Sequence, residues 1–305
     1  MSTGTMETYD LVGKKEDISD IITNISPTKT PFASMIGSES VRNTIYQWQE
    51  DSLMSVGANA QVEGAAAPTA SWQATVLRNN TTQILMATAS ASGTADVVKK
   101  YGRAKELSYQ LGLRAAELKR NLEYAFVGQP STAEVVGNDS TARVVAGYQQ
   151  QISSGTTNTL GTAGPLTEAY VLAMAQALYT NGAEPTILMV KPADALKVAT
   201  WQTGGTGAAN SRTKFADNDS KAIYNVVDVY YSPFSGEGLK VVLNRFLATS
   251  NALIFEPQMW KKAVLRNWFR ETLAKVGDST QVMIVGEFGL IHKNYGASGL
   301  IANLT

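Results

Sequence analysis

Apolar residues first recur with helical spacing at Ile18, Ile21, Ile22 and Ile25, the i, i+3, i+4, i+7 face of a short helix. Glu16 and Asp17 precede that face, where negative charge suits a helix N-terminus. Ser26-Pro27 stops it. Thr30 then offers a cap and Pro31 a first helical position, with Phe32, Met35 and Ile36 on one apolar side and Gly37 as the expected close. Helices this short are marginal in water unless something packs against them. The pattern predicts an arm over 1–43, made of two apolar patches that need a surface from elsewhere.

From residue 44 the period changes to two. "TIYQWQEDSLMSV" alternates with Tyr46 and Trp48 on one side, and "SWQATVLRNNTTQILMATA" alternates with Trp72, Ala74 and Val76. Between them "GANAQVEGAAAPTA" is small and nearly uncharged. This reads as a long hairpin over 44–92 with a flexible tip. A lone two-stranded hairpin is barely stable in water, so it too needs a partner surface.

Ala104 to Phe126 carries one continuous stripe of Leu107, Leu111, Ala115, Leu118, Leu122 and Phe126, followed by Gly128 as a stop. Such a helix, about 35 Å long, is expected to lie along a sheet. A loop-rich segment follows. Next comes an α/β patch: a helix in "GPLTEAYVLAMAQALYTNG" with Gly182 at its end, a buried strand "TILMV", and a helix "PADALKVATW" opened by Pro192. "QTGGTGAANSRTKFADND" reads as a loop. "NVVDVYYS", "LKVVLN", "NALIFEP" and "TQVMIVGEFGLIHKNYGASGLIANL" read as strands. The fold class is α+β.

Composition narrows the function. Of 305 residues, 44% are hydrophobic, which suits a folded chain with a core. Charge is balanced, 26 basic against 26 acidic, and only 17% of residues are charged. About 25% is usual, so this surface is thinly charged, in keeping with burial against copies of itself. The balance also argues against electrostatic capture of nucleic acid. There is no cysteine, which excludes disulfides, thiolate metal sites and cysteine nucleophiles. "MSTGTMETYDLVGKKED" has no apolar signal region and no apolar run approaches the length of a membrane span, so the expectation is a cytoplasmic protein without a membrane.

Candidate chemistry is sparse. The single histidine, His292, sits in a strand and reads as structural; alone it cannot build a histidine metal site. The "TGGTGAANSRTK" loop lacks the Gly-Lys-Ser/Thr ending of a phosphate cradle. Asp217-Asn218-Asp219 begins like a calcium loop but continues with Lys221 and Ala222 where a ligand and a glycine are required. Lys99, Lys100, Arg103 and Lys105 read as a solvated helix entry. No catalytic, cofactor or metal residue is expected, and no cofactor.

An apolar arm, a projecting hairpin and a long helix beside a mixed body together resemble the major capsid proteins of tailed bacteriophages, with the Hong Kong 97-type fold. "EDISDIITNISPTKTPFASMIG", "GAEPTILMVKPADALKV" and "LAKVGDSTQVMIVGEFGLIHKNYGASGLIANL" resemble, in order, the N-terminal, middle and C-terminal signatures of a phage major head protein family. The resemblance implies an N-terminal arm (1–43) and an extended loop (44–92). It implies a peripheral domain (93–159 and 226–305) with a spine helix over 104–127, and an axial domain (160–225). It implies hexamers and pentamers closing into an icosahedral shell around double-stranded DNA, assembled in a host bacterial cytoplasm, with scaffolding, portal and decoration proteins as partners. Ile18, Ile21, Ile22, Ile25, Phe32, Met35, Ile36, Trp48 and Trp72 are then the expected assembly residues. Some members of this fold join neighbours through an isopeptide bond from a loop lysine; none stands between Val41 and Val98 here, so non-covalent shells are expected. Two rivals remain: an encapsulin-like compartment of the same fold, from which the "NISPTKTPF" arm differs, and a small α/β enzyme, which would need a polar constellation that is missing.

Overall fold

The computed structural model describes residues 26–102, 104–129, 133–201, 229–230, 234 and 238–305. Ile18, Ile21, Ile22, Ile25, Arg103, the 202–219 loop with Asp217-Asn218-Asp219, and most of "NVVDVYYS" lie outside them.

Two sheets organise the described chain. The first runs β1 (Gly37–Ser40), β10 (Trp260–Thr272), β11 (Ser279–His292), β4 (Gln83–Ser92). β1 is parallel to β10 and the other pairings are antiparallel. After a short helix α2 (Gly93–Val97), helix α3 (Glu106–Glu123) lies along this sheet, and a π-helical turn, Tyr124–Gly128, extends it. Its stripe does what the spacing predicts: Leu118, Leu122 and Phe126 are buried, and Leu111 and Ala115 pack at the margin against the same core as Leu85, Ile284 and Phe288. Gly128 is required there by close approach, since a Cβ would sit 2.6 Å from the Phe246 carbonyl oxygen.

The second sheet runs β5 (Thr157–Gly164), β12 (Gly299–Leu304), β9 (Ala252–Phe255), β6 (Ile187–Val190), β8 (Leu239–Leu243), β7 (Val229–Tyr230). Helices α4 (Glu168–Thr180) and α5 (Pro192–Thr200) supply Val171, Met174, Leu178 and Val198 to a core of their own with Leu188, Val190, Ile254 and Ile301. α4 ends as its sequence predicts: Gly182 takes φ +83°, its N–H bonds the Tyr179 carbonyl, and the Ala183 N–H bonds that of Leu178. The two sheets are not independent. Met189, Leu253, Phe255 and Leu300 of the second share one core with Phe32, Trp260 and Phe288.

Three expectations change. The division at residue 225 does not follow the hydrogen bonding, because β8, β9 and β12 from beyond it belong to the second sheet. The hairpin is shorter than 44–92: β2 (Ile45–Glu50) pairs only with β3 (Val76–Thr81), and the return limb passes through Thr82 into β4 of the first sheet. β1, β5 and β10 were absent from the pattern. "WKKAVLRNWFRET" is a strand of thirteen residues, but its register shifts between Val264 and Arg266 and again before Phe269. Such bulges break strict alternation. "GSES" and "TNTLGTAG" hold their strand form by pairing alone, with no apolar face to announce it.

Candidate assembly surfaces

The described part of the arm is anchored on its own subunit. α1 (Pro31–Met35) has Thr30 at its N-cap, but the Thr30 side chain caps nothing. Glu123, at the end of α3, does so instead. Its Oε1 accepts from the Phe32 N–H at 2.8 Å and its Oε2 from the Ala33 N–H at 2.8 Å, while Asn244 Nδ2 donates to Oε1 at 2.7 Å. Burial pushes the Glu123 carboxyl above its usual range, and the Ala33, Phe32 and Asn244 donors pull the other way. Phe32 enters an aromatic cage edge-on to Phe255 at 5.3 Å, Trp260 at 5.7 Å, Tyr148 at 5.9 Å and Phe126 at 6.3 Å between ring centroids. Ile36 is buried in the same core and Met35 packs at its margin. Gly37 does not close the helix; Ile36 turns to an extended conformation (φ −78°, ψ 146°) and Gly37 opens β1. Phe32 and Ile36, expected at an assembly surface, are core residues, because the fold brings an apolar cage from β9, β10 and α3 to them.

The hairpin base is equally fixed. Tyr46 donates to the Leu290 carbonyl at 2.9 Å and stacks on Trp48, which leans on Tyr295. Arg78 pairs with Glu50 at 3.0 Å and lies over the Tyr295 ring. Asn80 bridges to Ala146 and Leu290. Thr82 donates to buried Glu287, which also holds Arg266 and Arg143. Half-buried Trp48 therefore belongs to the base.

The tip differs. Residues 51–75 form no strand. Leu53 is 96% exposed and Trp72 82%, with Met54, Val56 and Val62 also open to solvent. Trp72 lies before β3 rather than on it. Asp51 and Glu63 are the only charges in 51–75.

His292 is structural, with one addition that the sequence did not reveal. Its Nδ1 donates to the Gln151 carbonyl at 2.6 Å, and its Nε2 is 2.9 Å from Ser298 Oγ, which accepts from Trp260 Nε1. The ring stacks on Trp260 at 3.9 Å, and burial lowers its pKa to about 3 against the opposing Gln151 bond. Ser298, six residues on, does reach the histidine, yet both are fully buried and no substrate can meet them. Lys100 pairs with Glu106 at 3.3 Å, as a helix entry would. A hollow of about 310 Å³ is lined by Asn181, Glu184, Glu256, Met259 and Asn294, with no Ser, Thr, Cys, Lys or His beside its two carboxylates. Among the described residues no group of three or more metal-binding side chains gathers, and no helix is long and apolar enough to cross a membrane.

Bare apolar side chains on the hairpin are a surface suited to meeting other chains. The family model described as SU10 major capsid protein matches residues 2–305, and the chain belongs to that family. The major capsid protein of Escherichia phage Phieco32 is 33% identical over 96% of this chain and 95% of its own length. Among solved structures, the capsid of a native GTA particle superposes with TM-score 0.67 at 13% identity, covering 98% of both chains. The encapsulin complex of Synechococcus elongatus PCC 7942 does so with TM-score 0.61 at 10% identity, covering 95% of this chain and 92% of that one. At such identities the likeness shows the fold alone, a Hong Kong 97-like one. The chain is a structural major capsid protein of a phage.

Proposed function

We propose that copies of this chain assemble as hexamers and pentamers that close into an icosahedral head around double-stranded DNA, in the cytoplasm of a bacterial host. The observation that carries this reading is the hairpin tip: Val97 and Val276 are as open elsewhere, but the tip gathers Leu53, Met54, Val56, Val62 and Trp72, all bare, on one short segment of a single subunit. An apolar strip on a slender projection needs a second copy to cover it. A closed shell demands heterologous contacts that tolerate small changes of angle, and a tip hinged on a rigid base meets that demand. The apolar stripe at Ile18, Ile21, Ile22 and Ile25 is read in the same way, as contact with adjoining copies. The peripheral unit is taken as the four-stranded sheet with α3, and the axial unit as the six-stranded sheet with α4 and α5. Scaffolding, portal and decoration proteins are the expected partners, and DNA is met without sequence preference.

Electron microscopy of the purified full-length chain, with its scaffold if one is needed, tests this. Capsomers or closed shells are expected; a folded monomer that persists under every assembly condition overturns it. Particles from infected cells should hold DNA; particles that are empty of DNA at every stage would overturn that part of the reading.

A further inference from the structure

α1 is five residues long, too short to persist in water by itself. Beside the burial of Ile36, two things keep it on the body: the Phe32 ring in its cage and the two N–H groups given to Glu123. The second is unusual in its reach, since the carboxylate comes from ninety residues along the chain instead of from the local cap. Glu123 is itself fully buried and, among the described residues, has only Asn244 as a further partner. Docking of α1 thus supplies donors that a buried carboxylate needs, and departure of α1 would return that carboxylate toward water. The two effects oppose each other, which is the balance a reversible contact requires.

We infer that Glu123 is a latch that holds the arm: residues 30–36 dock or release with its carboxylate, separately from unfolding of the core. The arm would then be held or let go at one fixed point. Any consequence for assembly rests on the reading above, but the latch itself is testable on the unassembled subunit.

Limited chymotrypsin digestion of the full-length chain reads it directly. Cleavage after Phe32 requires α1 to leave; cleavage after exposed Trp72 serves as an internal reference; cleavage after buried Trp260 reports global opening. In Glu123→Gln, cleavage after Phe32 relative to Trp72 is expected to rise at least tenfold, with Trp260 cleavage unchanged. Glu123→Asp, a shorter carboxylate that cannot serve both N–H groups equally, should rise by less and supplies the test if the glutamine variant fails to fold. A parallel rise at Phe32 and Trp260 would make Glu123 an ordinary core residue and overturn the latch, as would no change at Phe32. A raised Phe32 signal together with normal shells would keep the latch and remove the arm from assembly.

Discussion

α1 and the hairpin tip fall into one class by sequence, short apolar segments that cannot stabilise themselves, and the structure separates them. α1 finds its partner surface inside its own chain: Phe32 is enclosed by rings from four other segments and its first turn is capped by Glu123. The tip finds none among the described residues, and Leu53 and Trp72 stand in solvent. Apolar need is a property of the segment, but the place where it is met is a property of the assembly.

The contrast is best broken at its strongest point. Phe32→Ala should destabilise the subunit by about 3–5 kcal/mol, the usual cost of emptying an aromatic site in a core. Urea denaturation of unassembled protein measures it, and a loss below about 1 kcal/mol would mean that α1 is not docked.

Acid should weaken the same side of the molecule. His292 stacks on Trp260, which lines the Phe32 cage. Its folded pKa of about 3 lies below the ordinary 6.5, so the folded state binds fewer protons between those values. The stability it lends is complete above about pH 6.5 and drains as pH falls toward 3, by roughly 1.4 kcal/mol per unit. Replacing His292 with glutamine should flatten that part of a stability–pH curve; an unchanged slope would assign acid sensitivity elsewhere.

A smaller effect is expected at the hairpin base. Tyr46→Phe removes the bond to the Leu290 carbonyl and should cost about 1 kcal/mol, visible as a shifted urea midpoint at constant slope. Smallest of all in the isolated subunit is the tip: Leu53→Ser with Trp72→Ser should change stability by no more than about 0.5 kcal/mol. The same double variant should lose shell formation under the conditions that assemble the wild type. Normal shells would show that the tip is covered by nothing that matters. Finally, denaturing gels of mature particles should show single chains, since no lysine lies between Val41 and Val98; a boiling-resistant ladder would contradict non-covalent assembly.

Local periodicity made much of this chain legible. The stripe of α3, the Pro192 start of α5, the Gly182 stop of α4 and the apolar runs of β6 and β11 are each set by neighbours a few residues away, and the structure has them where the pattern does. The family signatures likewise mark a capsid protein in the sequence alone. Tertiary structure decided the rest. β10 leaves no alternating pattern because two bulges scramble it, and β1 and β5 leave none because hydrogen bonding alone makes them strands. Nothing near Glu123 in sequence marks it as the cap of a helix ninety residues earlier, and nothing in "SWQATV" distinguishes Trp72 from Trp48. A periodic pattern records which side of a segment avoids water. Which surface then covers that side depends on contacts between residues far apart in the chain, and those exist only once the fold has brought them together.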